Sequence, residues 1–225
     1  FRNTGITTLD LSNLTLTKFD NYIFQECNAL TSVILPNNLN NTGENTFQSC
    51  KNLNSVTLPA TLQTIGNNAF NGCVGLQSIN LPEQLQTIGS NAFNNTGLLS
   101  ISVPDNVTQL GSYAFASCNQ LKSAKLSKGL PYTDDFTYFS YCENLETLRI
   151  YAGAAPKITY AYYVRFRGNC VLEVPMGTED LYRNANYWKE FKEIRGFLTG
   201  DKLAEQDYAV LQEMYTSLGG ASWTN

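Results

Sequence analysis

Six cysteines carry the most reactive side chains of this sequence, and five of them recur at about 23 residues or twice that interval. Cysteines in a regular series can form disulfides, bind a metal ion or act as nucleophiles. The same column holds threonine in two other repeats, so it requires only a small and mostly apolar side chain. Its members are Thr4, Cys27, Cys50, Cys73, Thr96, Cys118 and Cys142.

Disulfides and free thiols are the two interpretations of this column. An even number of cysteines in a secreted chain is typical of a disulfide framework. Side chains stacked in a parallel ladder, however, lie roughly 5 Å apart, which exceeds the roughly 3.8 Å between the Cβ atoms of a disulfide. We therefore predict that all six cysteines are free and buried. The wide spacing and the absence of histidine from the sequence argue against zinc.

Other residues that could catalyse a reaction are scarce. The sequence contains no histidine, which removes Ser-His and Cys-His nucleophiles and histidine-ligated metals from consideration. The adjacent carboxylates of Asp134 and Asp135 could act as an acid and base pair, although a solvent-exposed turn is the simpler interpretation. We therefore expect no enzymatic activity and no cofactor.

The net charge of −4 and the isoelectric point near 4.9 provide no basic surface for nucleic acid or for an anionic membrane. No apolar run of the sequence approaches the roughly 20 residues that cross a bilayer, so we expect no direct membrane insertion. We expect a monomer whose partner is a protein or a glycan.

An internal repeat of about 23 residues defines the elements that would position these side chains. Residues 53–58, LNSVTL, alternate apolar and polar side chains as a strand with one buried face does, and Pro59 then ends the strand. A phenylalanine column runs from Phe24 to Phe139. One repeat cannot bury its own apolar side, so stacked repeats must bury it jointly. The repeats start at Ile6, Leu30, Leu53, Leu76, Leu98, Leu121 and Leu145.

Two stretches, LPATLQTIGNNAFNGC over 58–73 and LPEQLQTIGSNAF over 81–93, resemble the leucine-rich repeats of BspA-like bacterial surface proteins. The resemblance extends from residue 1 to about residue 195. It implies a right-handed leucine-rich repeat solenoid with a parallel β-sheet on the concave face and irregular or short helical segments on the convex side. It also implies an extracellular or cell-surface location and adhesion through binding of host or bacterial proteins.

The C-terminal part of the sequence departs from the repeat. We assign residues 1–174 to the solenoid and predict a capping helix over 175–198, with Thr178 as its N-cap. Apolar residues recur at helical spacing over 208–218. The resemblance implies that residues 199–225 form a linker and the start of a second leucine-rich repeat domain, as in related bacterial proteins. The buried face of the capping helix would carry Leu181, Ala185, Trp188, Phe191 and Ile194.

The candidate binding surface is the concave face, to which the third and fifth positions of each strand should point. The third positions form a uniform row of hydroxyl side chains. The fifth positions vary and include the cations Lys125 and Arg149. If Leu172 resumes the register of the strands, the fifth-position row continues to Glu173. Tyrosine is concentrated between 132 and 163, and Tyr and Arg often anchor interfaces, although several of these tyrosines could replace core phenylalanines. The ligand-binding candidates are Asn80, Ser102, Ser123, Lys125, Thr147, Arg149 and Tyr151.

These features favour a non-catalytic binding or adhesion module of a bacterial cell-surface or secreted protein. A rigid spacer and a non-catalytic arm of a larger surface enzyme are the alternatives, because a fold by itself does not determine a function. A binding module should carry a chemically varied concave row, and a spacer should not.

Overall fold

The structure is a computed structural model, and it describes residues 1–132, 136–159, 164–199 and Glu213. It is a parallel β-solenoid of about eight turns, which confirms the predicted fold class. A short strand recurs at the same place in the coils and pairs with its counterpart one repeat further along. In chain order the strands are β1 (Thr8–Asp10), β2 (Ser32–Ile34), β3 (Ser55–Thr57), β4 (Thr64–Ile65), β5 (Thr87–Ile88), β6 (Ser100–Ser102), β7 (Gln109–Leu110), β8 (Ser123–Lys125), β9 (Thr147–Arg149), β10 (Val171–Pro175) and β11 (Glu193–Phe197).

The strands form two parallel ladders. The concave ladder contains β1, β2 and β3, and after an interruption it continues through β6, β8, β9, β10 and β11. A second and shorter ladder joins β4, β5 and β7 on another side of the coil. The interruption of the concave ladder falls at residues 77–81, which belong to a repeat but to no assigned strand.

Phenylalanine rings form a continuous stack through the core, as the sequence column predicts. Phe47 and Phe70 lie with ring centroids 5.3 Å apart, and Phe70 and Phe93 repeat this distance. All three rings are fully buried, so burial and stacking both stabilise the contacts between coils. The stack runs through Phe1, Phe24, Phe47, Phe70, Phe93, Phe115 and Phe139.

Glycines in one column of the repeat allow neighbouring coils to approach closely. A Cβ atom on Gly66 would lie 2.1 Å from the carbonyl oxygen of Gly43, and a Cβ atom on Gly89 would lie 2.6 Å from the amide nitrogen of Asn67. Neither Gly66 nor Gly89 has a left-handed φ. These two positions therefore require glycine for space, not for an unusual backbone angle.

All six cysteines are free and buried, as predicted. Burial raises the pKa of the Cys50 and Cys170 thiols to about 12, and it also raises the pKa of Cys73. The thiols of these three residues are therefore protonated at neutral pH.

The predicted capping helix over 175–198 is wrong in its extent. A helix, α1, covers only Glu179–Arg183, a single helical turn follows at Trp188–Glu190, and residues 193–197 form β11. Tyr187 has a left-handed φ of 69°, which a right-handed helix does not accommodate. The edge of β10 favours a strand after this turn, because the backbone of β11 pairs with it and extends the ladder.

The side chains of this segment consequently pack differently from the predicted helical face. Leu181 is 53% exposed, whereas Trp188 is 1% exposed. The indole N–H of Trp188 donates to the carbonyl oxygen of Pro156 at 2.7 Å. Thr178 does not cap α1 through its side chain, because its hydroxyl donates to the carbonyl oxygen of Pro175.

Two features of the sequence analysis lie outside the described residues. One is the pair of carboxylates at 134 and 135. The other is the predicted linker and second domain over 199–225, of which only residues 199 and 213 are described. Within the described part of the chain, no helix is both long and apolar enough to cross a membrane.

Candidate binding surface

The concave ladder presents a polar face outwards and an apolar face towards the core. In β6, Ser100 and Ser102 are exposed, while Ile101 between them is 5% exposed. This alternation follows from the two-residue period of a strand. Third-position and fifth-position side chains therefore point away from the core, as predicted.

The strand register aligns the predicted fifth-position residues in one row. Ser102 lies opposite Lys125, Lys125 lies opposite Arg149, and Arg149 lies opposite Glu173. The row continues to Arg195 in β11. Neighbouring members of the row are separated by about 4.8 Å, the spacing of hydrogen-bonded strands.

The remaining predicted residues lie around this row. Ser123 and Thr147 are opposite each other in the third-position row. Tyr151 follows β9 and is half-buried. Asn80 is exposed, but it lies in the interrupted segment 77–81 and pairs with no strand.

Arg149 is engaged by its own neighbours. Its Nε atom lies 2.6 Å from Oε2 of Glu173, and its guanidinium carbon lies 4.9 Å from the ring centroid of Phe197. The side chains of the ion pair are only 25% and 20% exposed, so their orientation is held by packing as well as by charge. Lys125 is half-buried and forms none of the ion pairs found among the described residues.

The tyrosines near this surface divide between core and rim. Tyr132 is half-buried and packs against the core, and its hydroxyl donates to the carbonyl oxygen of Ser127 at 3.0 Å. Burial raises the pKa of Tyr132, so its hydroxyl remains a neutral structural donor. Tyr151 instead packs edge to face against Phe197 with centroids 5.0 Å apart, and Nζ of Lys128 lies 5.7 Å from its ring. Part of the tyrosine enrichment therefore belongs to the core.

Sequence reasoning missed Arg195 and Phe197 because it placed them in the capping helix predicted over 175–198. The apolar residues of the stretch EIRGF over 193–197, Ile194 and Phe197, are three positions apart, and this spacing does not distinguish a strand from a helix. In the structure, β11 extends the concave ladder by one more strand. Among the described residues, no group of three or more Cys, Asp or Glu side chains is arranged to hold a metal ion.

Parallel ladders, a repeat near 23 residues and stacked core columns of leucine and phenylalanine together define a leucine-rich repeat solenoid. A family model described as the BspA type leucine-rich repeat region, with 6 copies, matches residues 1–59 and 40–165. The chain therefore belongs to the BspA-type leucine-rich repeat family, which confirms the resemblance of its repeats. No curated protein matches the chain.

Solved structures of bacterial leucine-rich repeat proteins share this fold. One from Bacteroides ovatus ATCC 8483 is 23% identical, with a TM-score of 0.62 over 84% of this chain and 45% of its own. The T. pallidum protein TpLRR is 30% identical, with a TM-score of 0.60 over 64% of this chain and 70% of its own. The pneumococcal vaccine antigen PcpA is 19% identical, with a TM-score of 0.61 over 82% and 44%. This chain spans less than half the length of the B. ovatus protein and of PcpA.

Proposed function

We propose that this chain is a non-catalytic binding module of a bacterial cell-surface or secreted protein, and that its concave face binds a protein or a glycan. Membership of a bacterial leucine-rich repeat family supports a repeat module, and such solenoids present extended concave surfaces for binding. The name of PcpA, a pneumococcal vaccine antigen, supports an extracellular location for this chain as well.

The observation that carries this proposal is the uneven charge along the fifth-position row. The ion pair of Arg149 with Glu173 is held against Phe197, and Lys125 stands beside it without an ion-pair partner among the described residues. Lys125 is half-buried, so part of its side-chain freedom is already lost before an anionic group binds. The ligand we propose is an acidic protein segment or an acidic glycan, bound near Lys125, Ser102 and Ser123.

Charge reversal at Lys125 tests this assignment. The variant Lys125→Glu should weaken binding to arrayed sulfated glycans or to a synthetic glutamate-rich peptide by about tenfold or more, and it should reduce the salt dependence of binding. Lys51→Glu is the matched control, because Lys51 is an exposed lysine outside the strands of the concave ladder. Reversal at Arg149 is a poorer test, because it would leave the part-buried Glu173 unpaired.

The measurements are glycan-array binding and calorimetric titration of the peptide, with the melting temperature recorded for each variant. Binding that is equal in the wild type and in Lys125→Glu would place the site elsewhere. A chain that binds neither probe would favour the rigid spacer or the non-catalytic arm of a larger surface enzyme.

A further inference from the structure

One coil of the solenoid, residues 76–97, contains the interruption of the concave ladder, and we term it the central coil. Elsewhere in this ladder, the residue that follows a strand donates its backbone N–H to the next coil. Leu35, for example, donates to the carbonyl oxygen of Thr57 at 3.1 Å. Leu58 and Leu81 occupy the same column at the two boundaries of the central coil, and neither makes this hydrogen bond.

The concave side of the central coil is also loosely packed. Its apolar side chains and those of β3 are half-buried, whereas their counterparts in β2 and β6 are at most 5% exposed. A cavity of about 280 Å³ lies between residues 78–81 and β6, so the concave side has space to close as well as to open. The half-buried residues are Val56, Leu58, Ile79 and Leu81, and their counterparts are Val33, Leu35, Ile101 and Val103.

Backbone hydrogen bonds are continuous past the central coil on the side of the second ladder. Gln86, in the central coil, donates its N–H to the carbonyl oxygen of Gln63 at 2.8 Å, and Thr108 donates to that of Gln86 at 3.0 Å. The same column continues from Gln63 to Asn40 at 2.9 Å and from Asn40 to Thr17 at 2.8 Å. The central coil is therefore attached to both neighbouring coils on this side.

The aromatic core attaches the central coil in the same way. The ring of Phe93 lies 5.3 Å from that of Phe70 and 5.4 Å from that of Phe115, measured between centroids. The backbone N–H of Phe93 donates to Ala114 at 2.7 Å, and that of Phe70 donates to Ala92 at 2.8 Å. At its start the central coil keeps a concave backbone bond, from Leu99 to Gln77 at 3.0 Å, but most of its attachment lies away from the concave face.

This uneven attachment has a mechanical consequence. Each coil of a solenoid contacts only its neighbours, so the stiffness of a joint is set by the contacts at that joint. A segment with few backbone hydrogen bonds and poorly covered apolar side chains opens at a low free-energy cost. A joint that is held on one side can change its angle with the held side as the pivot.

We propose that the central coil is a hinge, with its pivot on the side of the second ladder and of the phenylalanine stack. The part of the solenoid that carries β1 to β3 rotates about it relative to the part that carries β6 to β11. The rotation widens or narrows the concave face between β3 and β6. This motion goes beyond the proposed function and does not depend on it, because it belongs to the free protein and requires no ligand.

Hydrogen exchange tests the weak side of the joint. The amides of Leu58 and Leu81 should exchange at least about tenfold faster than those of Leu35 and Val103, which occupy the same column and are hydrogen-bonded. Equal protection of the four amides would show a closed ladder and would overturn the proposal.

Double electron–electron resonance between two spin labels on introduced cysteines measures the rotation itself. Ser32→Cys with Ser123→Cys places the labels on the concave face, on β2 and β8, with the central coil between them. Ser100→Cys with Glu193→Cys is the matched control, because it spans the same number of coils through strands that are all paired. The distance distribution of the first pair should be at least about twice as wide as that of the control.

A third pair tests the position of the pivot. Thr17→Cys with Thr108→Cys also has the central coil between its labels and spans the same number of coils, but on the side where the backbone bonds are continuous. Its distribution should be as narrow as that of the control pair. The chain without introduced cysteines should take up no label, because its six thiols are buried.

The widths of these distributions decide the proposal. A pair at Ser32 and Ser123 that is no wider than the control would show a rigid joint, and equal widening at Thr17 and Thr108 would show a joint without a pivot. Either result would overturn the hinge. If the first pair lowers the melting temperature, Ser55→Cys with Thr147→Cys spans the central coil over the same number of coils and replaces it.

Discussion

Each thiol in the cysteine column donates a hydrogen bond to a phenylalanine carbonyl oxygen of the preceding coil. The Sγ atom of Cys50 lies 3.1 Å from the carbonyl oxygen of Phe24, and that of Cys73 lies 3.1 Å from the carbonyl oxygen of Phe47. The Cys27, Cys118 and Cys142 thiols repeat the contact. The column therefore favours a small side chain that can donate a hydrogen bond.

Threonine fits the same column because its hydroxyl satisfies a different bond. In the coils of Cys50 and Cys73, the backbone N–H of the cysteine donates to the phenylalanine three residues earlier. In the coil of Thr96, the hydroxyl of this residue donates to the carbonyl oxygen of Phe93 at 3.0 Å. The Cys118 thiol of the following coil donates to this same oxygen at 3.2 Å, so the link to the following coil is kept.

The buried thiols predict a loss of stability at high pH. In the unfolded chain a cysteine titrates near pH 8.5, whereas burial raises the pKa of Cys50 to about 12 in the folded protein. The stabilising effect of the protonated thiol is complete below about pH 8.5, and it is lost as the pH rises towards 12. Each pH unit in this window should lower the free energy of unfolding by about 1.4 kcal/mol for each such thiol.

Urea unfolding between about pH 7 and pH 10 measures this effect. Cys50→Thr should show a smaller decrease in the free energy of unfolding than the wild type, while lysine and tyrosine titrations remain common to both. Identical pH dependences would contradict the prediction. As a control on the redox state, alkylation of the denatured and unreduced protein should modify all six thiols.

At the scale of the element, the C-terminal segment closes the apolar end of the last coils. The Trp188 ring contacts Phe136 and Tyr182 edge to face, with centroids 5.1 Å and 5.4 Å away, and stacks on Phe191 at 5.6 Å. The Tyr182 hydroxyl donates to the carbonyl oxygen of Ala152 at 2.7 Å. These contacts tie α1 and the turn that follows it to the solenoid, although they do not form one continuous helix.

Truncation of Trp188 and of Leu181 distinguishes the observed packing from the predicted helix, in which both side chains would be buried. Trp188→Ala should lower the free energy of unfolding by about 3–5 kcal/mol, because it leaves a large cavity and removes the hydrogen bond to Pro156. Leu181→Ala is the control and should cost less than about 0.5 kcal/mol, because Leu181 is 53% exposed. Denaturant unfolding of both variants provides the comparison, and similar losses would support the helical face instead.

At the scale of the whole molecule, stability is close to a sum of contacts between neighbouring coils. Phe70, for example, stacks on Phe47 on one side and on Phe93 on the other. Such an array has an apolar surface and an open strand edge wherever it is cut. The end of the array therefore matters more for its behaviour in solution than any single internal contact.

Removal of β10, α1 and β11 should test this property of the array. A chain that ends at Gly168 leaves β9 paired with β8 but without β10, and it exposes the side of Leu148 that β10 covers. We expect aggregation and a lower melting temperature, as measured by light scattering and by thermal unfolding. A chain that ends at Thr199 keeps all of the described strands and should remain monomeric. A monomeric chain to Gly168 with unchanged melting would show that the segment does not cap the array.

The sequence by itself determined the coil, its core and the rows of its concave face. Residues that touch in a solenoid lie about one repeat apart in the sequence, so the period alone places Phe70 beside Phe47 and Lys125 beside Arg149. The same periodicity indicated that Glu173 continues the row, and the strand pairing confirms it. Where the contacts repeat, a pattern in one dimension is sufficient to predict them.

The tertiary structure alone decided the features that do not repeat. Residues 193–197 pair with β10 because that strand offers an open edge, although their apolar spacing is also compatible with a helix. Arg149 pairs with Glu173 over Phe197 because β11 places that ring beside the row. Residues 77–81 have the same pattern of residue types as the strands of the concave ladder, but they form no strand and interrupt it. Such an interruption depends on how successive coils stack in three dimensions, so a repeat pattern cannot specify it.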